Sequence, residues 1–399
     1  MKKNIPRTVW VLGFVSLCMD LSSELVHALL PVYMTVVLGA SMLAVGVVEG
    51  IAEATAAIVK VFSGVLSDRM ARRKPLVVFG YGLAMLSKPL FPLASSVGLV
   101  LVARFMDRIG KGIRGAPRDA LIADVTPEGQ RGTAFGLRQA LDTVGAIFGP
   151  LAAIGLMFLF MSDVRAVLWF AVIPAVGSVA VLVIWVREPP RAAASKSETP
   201  LGFGSLRELP AGYWIVVVLG AVLTLARFSE AFLIIRAQDL GIALAMVPVV
   251  LVVMNLAYTA IAYPAGVAAD QGHRRALLVW GFLALIAADL ILGSSTSRIF
   301  FFLGILLWGA HMGLTQGLLS ALVADASPAH LRGTAFGVFN LVSGVALLGA
   351  SVLAGWLWSA YGAAATFYAG AAFTALALAG LLVLVFGKNA QQHLPPVGP

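Results

Sequence analysis

Three ionisable side chains, Asp20, Glu24 and His27, follow one another at spacings of four and three in the run Cys18-Met-Asp-Leu-Ser-Ser-Glu-Leu-Val-His27. On a helix of 3.6 residues per turn they share one face. Two carboxylates and an imidazole so placed could pass a proton, or could offer oxygen and nitrogen donors to a first-row divalent metal. They sit in the middle of an apolar stretch, Thr8 to Gly39, that is long enough to cross a bilayer. An ionisable group near the bilayer centre costs about 2.5–3.5 kcal/mol on insertion scales. Three of them therefore call for a water-filled cavity or for buried partners.

Candidate partners are present. Glu49, Glu53, Asp107 and Asp142 also fall inside apolar segments, as do Lys60, Lys88, Arg104, Arg108, Lys111 and Arg138. Arg138 and Asp142 are four apart and can pair on one helix face, and Glu49 and Glu53 have the same spacing. The balance predicts a largely compensated network with one or two groups left to titrate. A fully paired scaffold is the alternative for any single residue. The second half of the chain is poorer in charge, with Arg227, Glu230, Asn255, His311, Gln316 and Asn340 inside apolar segments. His311 is expected to face the cavity opposite the first helix, against the plainer reading of a hydrogen-bonded core histidine.

The elements that must position these groups are membrane helices. The chain has 399 residues, 60% of them hydrophobic and only 12% charged, against about 25% charged in soluble domains. Its net charge of +9 falls largely in short loops, where basic residues set topology rather than bind nucleic acid. The single cysteine, Cys18, excludes disulfides within the chain and multi-cysteine metal sites. The basic start (Lys2, Lys3, Arg7) leads into a run too long and too acidic for a signal peptide, so a retained first helix is expected. Twelve spans are predicted near 8–38, 42–67, 75–95, 97–120, 132–160, 165–187, 212–238, 243–269, 275–294, 297–322, 332–359 and 363–387. Arginines and lysines cluster after even-numbered spans, which places those connections and both termini in the cytoplasm. Residues 188–211, rich in Pro, Ser and Ala, read as a linker between two halves, and 388–399 as a tail.

An internal repeat supports that division. Residues 120–136, ALIADVTPEGQRGTAFG, return at 321–337 as ALVADASPAHLRGTAFG, an offset of 201 (321 minus 120). Two six-helix bundles, 1–187 and 212–387, related by a pseudo-two-fold repeat follow. Between the second and third spans stands Gly64-Val-Leu-Ser-Asp68-Arg69-Met-Ala-Arg72-Arg73, and its second copy keeps Gly266, Asp270, Arg274 and Arg275. With twelve spans and a duplicated half, this loop resembles that of the major facilitator superfamily of secondary transporters. The resemblance covers essentially the whole chain and implies an all-α fold and alternating access. It also implies a gating latch built from Gly64, Asp68, Arg69, Arg72, Arg73, Asp270, Arg274 and Arg275. Gly145-Ala-Ile-Phe-Gly149-Pro150 is similar to the antiporter motif of superfamily exporters, with Ala153 and Ile154 where the motif ends in glycines. Small residues four apart allow close helix approach.

Within the superfamily, the runs around Asp20–His27, Glu49–Glu53 and Asp107–Asp119 resemble a bacterial group that includes nickel- and cobalt-resistance exporters. That resemblance implies divalent metal efflux, with Asp20, Glu24 and His27 as metal donors. Protons would be exchanged through a set drawn from Asp20, Glu24, His27, Glu49, Glu53, Arg104, Asp107, Arg108, Asp142 and His311. Efflux of a small organic drug or metabolite, and a non-transporting membrane sensor, are the other readings. The sequence Gly110-x-Gly112-x-x-Gly115 lacks the βαβ context of a dinucleotide site, and no Walker-type motif occurs. No enzyme activity, cofactor or nucleic-acid partner is therefore expected. The expectation is a monomer in a bacterial inner membrane, with lipid, protons and a small substrate as its partners.

Overall fold

The fold was taken from a computed structural model, which describes residues 5–70, 72–127, 130–188, 208–328 and 331–386. Most of the expected linker and the whole of the expected tail lie outside the described residues. So do the side chains of Asp68, Arg69 and Asp270.

Every regular element described is helical. The first six spans are built from α1 (Arg7–Val32), α2 (Met42–Arg69), α3 (Lys74–Ser87), α4 (Leu90–Leu93), α5 (Val97–Val125), α6 (Arg131–Leu159), α7 (Val164–Phe170) and α8 (Val172–Trp185). The next six use α9 (Ala211–Ala226), α10 (Ala231–Asp239), α11 (Val249–Ala268), α12 (Arg274–Ser294), α13 (Arg298–Asp325), α14 (Arg332–Tyr361) and α15 (Ala363–Phe386). Eleven of the spans among the described residues are long and apolar enough to cross a membrane. The remaining one, α5, is 29 residues long and carries too much charge to qualify by composition.

Three spans are interrupted, for different reasons. The third pauses at Lys88, just before Pro89, and the sixth at Ala171, three residues before Pro174. Proline lacks the N–H that would extend the ladder and its ring crowds the preceding turn. The seventh breaks between Ala226 and Ala231 with no proline nearby. There the N–H of Ser229 takes the Ser351 hydroxyl instead of a helical carbonyl. Span caps are conventional at two homologous sites. Ser96 Oγ accepts from the N–H of Leu99 at the start of α5, and Ser297 Oγ from that of Ile299 at the start of α13.

The chain packs as two compact units: residues 1–40, 51–198 and 243–252 form one, and 41–50, 199–242 and 253–399 the other. In the first, α1 lies along α6 and α8, and α3 along α5. Their apolar core includes Leu12, Met19, Val77, Tyr81 and Leu121. In the second, α12 packs on α13 and α15, and α9 on α14 and α15. The start of α2 belongs to this second unit because glycines bring backbones into contact. A Cβ on Gly46 would fall 2.2 Å from the Ser351 carbonyl oxygen, and one on Gly355 would fall 2.4 Å from that of Met42.

Close approach is equally strict where α3 meets α5. A Cβ on Gly110 would stand 2.6 Å from the Gly80 carbonyl oxygen and 2.8 Å from the Ala84 nitrogen. Backbone atoms cannot yield as a flexible side chain would, so the two helices must separate. Gly110→Ala is expected to destabilise the purified protein by about 1–3 kcal/mol, read as a lowered thermal midpoint. Gly82→Ala, with nothing within 4 Å of the added atom, should leave that midpoint nearly unchanged.

Candidate functional site

The charges of the first unit are organised by α5. Arg104, Asp107, Lys111, Arg114 and Arg118 recur at steps of three and four, which with Arg108, four residues after Arg104, places them along one stripe of the helix. All but Lys111 are buried. Each of the five buried ones is met by a group from a neighbouring helix, so the stripe becomes a ladder of pairs.

At one end, Arg104 Nη2 lies 2.8 Å from His27 Nδ1. A guanidinium can only donate, so Nδ1 accepts and any proton on a neutral imidazole is on Nε2. Next, Lys88 Nζ reaches Asp107 Oδ1 at 2.7 Å and the Ser23 hydroxyl at 2.9 Å. Arg108 pairs with Glu53 from α2 at 3.0 Å. Arg114 stands 3.8 Å from Asp20 Oδ1 and 4.7 Å above the Tyr81 ring. Arg118 donates to Ser16 at 2.8 Å, and Ser16 shares a hydrogen bond with the Tyr81 hydroxyl at 3.0 Å. Arg118 also meets the Asp119 carboxylate, which Arg138 approaches from α6. The expected Arg138–Asp142 pair closes the ladder at 2.6 Å.

Three carboxylates in this ladder are a quarter or more exposed, Asp119 at 35% among them. Glu53 remains 32% and Asp20 25% exposed, while Asp107 is only 3% exposed. The face of α1 that carries Asp20 and Glu24 is fixed by α6. A Cβ on Gly145 would stand 2.8 Å from the Leu17 carbonyl oxygen, and one on Gly149 would stand 2.8 Å from Glu24 Cβ. Pro150 follows inside the same helix. The glycines of the exporter-like motif thus seat the acid-bearing turn of α1.

Several expectations need correction. Asp20, Glu24 and His27 share a helix face, yet they do not form a metal-binding cluster. Arginines of α5 engage Asp20 and occupy His27 Nδ1, and no group of three His, Cys, Asp or Glu side chains among the described residues could hold a metal ion. Glu49, four residues before Glu53, is held by different partners. It belongs to the second unit, is buried, and accepts from the Ser229 hydroxyl at 3.4 Å. His311 does not face an opening. It is fully buried and its Nδ1 donates to the Gly281 carbonyl at 2.9 Å, so the plainer reading holds.

At the far end of the unit, the loop motif ties several helix ends together. Arg73 Nε donates to Asp124 of α5 at 3.0 Å, and its Nη1 donates to Ser67 of α2 at 2.8 Å. The first two N–H groups at the start of α3, those of Arg73 and Lys74, donate to the two carboxylate oxygens of Glu188 at 2.5 and 3.0 Å. A carboxylate suits that helix end, where unsatisfied N–H groups and the helix dipole both favour negative charge. Arg72 is exposed, and Gly64 meets Ala116 at ordinary contact distance. In the second copy, Arg274 starts α12 and Arg275 is exposed. Gly272, two residues before Arg274, takes a left-handed turn at φ 91°. Asp124, Glu188, Ser16 and Tyr81 were not anticipated. Of these, Asp124 alone had a signal, since it lies inside the duplicated segment.

The sequence model of the Major Facilitator Superfamily matches residues 12–235 and 217–398. This chain belongs to that superfamily. An uncharacterized MFS-type transporter of Methanocaldococcus jannaschii is 32% identical over 364 residues, covering 89% of each chain. The quinolone resistance protein NorA of Staphylococcus aureus is 28% identical over 223 residues, 55% of this chain and 54% of that one. A crystal structure of a POT family transporter superposes with a TM-score of 0.80 over 97% of both chains at 13% identity, a likeness of fold. The protein is therefore a multi-pass membrane transporter with the major facilitator fold, and not an enzyme.

In this transporter the Lys88–Asp107 pair is sealed from solvent, so losing one partner strands the other. Lys88→Met should lower stability by about 3–5 kcal/mol. The double variant Lys88→Met/Asp107→Leu should recover most of that loss. Thermal unfolding of the three purified proteins measures both.

Proposed function

We propose that this transporter is an exporter of a small organic compound, a drug or a metabolite, driven by proton entry and working by alternating access. The observation that carries the reading is the seating of α1 by Gly145 and Gly149 of α6, which holds Asp20 and Glu24 on a helix–helix contact built from the exporter-like motif. A carboxylate that is partly exposed and only loosely held, as Asp20 is at 3.8 Å from Arg114, can exchange a proton as access alternates. A pair bonded at 2.6–3.0 Å gives up its charge less readily. Glu53, also partly open, is bonded to Arg108 at 3.0 Å and is held more firmly than Asp20. NorA, named for quinolone resistance, fits an organic cargo.

Nickel or cobalt efflux, the first expectation, gives way for a chemical reason. His27 Nδ1 is spent on Arg104, and a guanidinium beside a donor set repels a divalent cation. Arg73, with Asp124, Ser67 and Glu188, gathers the ends of α2, α3, α5 and the segment after α8. We read it as part of the latch, on the cytoplasmic side, with both termini on that side of an inner membrane.

A resistance panel of metals and drugs in an efflux-deficient host, followed by proton-coupled uptake into inverted vesicles, tests the reading. Asp20→Asn and Glu24→Gln should each abolish export while the protein remains folded in the membrane. Normal transport by both variants would overturn the site. Resistance confined to nickel or cobalt would overturn the choice of cargo.

A further inference from the structure

The offset of 201 residues that relates the duplicated segments also runs without a gap through the third and ninth spans. Lys74 and Gly80 correspond to Arg275 and Gly281, Tyr81 to Phe282, and the cap Ser96 to Ser297. At the same offset Lys88 corresponds to Asp289 and its partner Asp107 to Trp308. The first half thus holds a buried ion pair where the second has a carboxylate and an indole.

Asp289 is 0% exposed, and neither of its carboxylate oxygens has a hydrogen-bond partner. It faces α15, where a Cβ on Gly370 would come 2.5 Å from Oδ2 and 3.1 Å from the Phe228 ring. Phe228 stands in the break between α9 and α10 and packs on Trp308, ring centroids 5.3 Å apart. The wall around the carboxyl is apolar and aromatic.

The charged groups on the surrounding elements are engaged elsewhere. Arg236 of α10 donates to the carbonyls of Leu292 and Ser295, one turn beyond Asp289. Arg298 of α13 donates to the carbonyls of Leu240 and Gly241, and His311 donates to that of Gly281. Arg227 and Glu230 flank the break, and Asp239 ends α10. None of them makes a hydrogen bond or ion pair with Asp289. The α15 sequence contains no ionisable side chain other than Tyr368.

We propose that Asp289 is a proton-binding site inside the second half, a carboxylic acid that carries its proton in the folded protein. An unpaired carboxylate in a dry apolar wall is the arrangement proteins avoid, and neutralisation by a proton is the usual resolution. A sodium ion would need several more oxygen ligands, and Gly370 and Phe228, which close on the carboxyl, supply no side-chain oxygen. A proton needs one oxygen only. The site is separate from Asp20, Glu24 and Glu53, which lie in the other unit, and the inference stands whether or not this chain exports organic compounds.

Infrared spectra of the purified protein, taken without substrate in sodium-free buffer at neutral pH, test it. The wild type should show the carbonyl stretch of a protonated carboxylic acid, shifted downward in D2O. Asp289→Asn should remove that band, and Gly370→Ala, which presses a methyl on Oδ2, should move it. Should Asp289→Asn fail to fold, the Gly370→Ala shift assigns the band by itself. The proposal is overturned if the wild type lacks the band, if both variants leave it unmoved, or if added sodium abolishes it.

Discussion

Charge inside a low-dielectric bundle must be matched at hydrogen-bond distance, and this requirement governs the first half of the molecule. The charged stripe of α5 is tolerable because α1 and α2 bring carboxylates, an imidazole and a hydroxyl to its arginines, while Lys88 at the end of α3 and Arg138 of α6 meet its acids. Short side chains can reach only if backbones are close. Gly80 and Gly110 draw α3 onto α5, which lets Lys88 meet Asp107 at 2.7 Å. Glycine packing and ion pairing are thus one device, since the contact sets the distance and the pair offsets the desolvation. Asp20 and Glu53 differ from Asp107 in keeping part of their surface open. Asp107 is thereby the most deeply sealed acid of the ladder.

Much of this was legible in the residues. Helix count, the duplication and the Arg138–Asp142 pair all follow from periodicity and spacing, which are local properties. Individual partners were not legible, because a period says which face a side chain shares and leaves open what opposes it. Asp20 and His27 share a face as expected, yet arginines of α5 arrive there and engage both. Glu49 and Glu53 share a face too, yet the Gly46 contact to Ser351 assigns the start of α2 to the other unit. The break between α9 and α10 had no proline to announce it. Glu188 sits where a span ends, a position with no pattern of its own.

Duplication has kept a frame and changed its contents. Gly80 and Gly281 occupy equivalent places, but their partners are Gly110 in one half and His311 in the other. Where two glycines touch through backbone, the second half spans the gap with an imidazole hydrogen bond. The same substitution of chemistry within a fixed geometry turns the Lys88–Asp107 pair into Asp289 beside Trp308. Among the described residues, polar groups of the first half answer one another, whereas Arg236, Arg298 and His311 of the second donate to backbone carbonyls. Duplicated halves of one transporter can therefore respond differently to the same change in proton activity.

The grip of Glu188 on the start of α3 has a mechanical side. This residue is the last one described before the segment that joins the halves, and both its oxygens hold backbone N–H groups. Lys74 reinforces the grip by donating to the carbonyls of Val183 and Val186. The end of the sixth span is thereby tied to the start of the third and, through Arg73 and Asp124, to the end of the fourth. A displacement of any one of these three helix ends is passed to the other two.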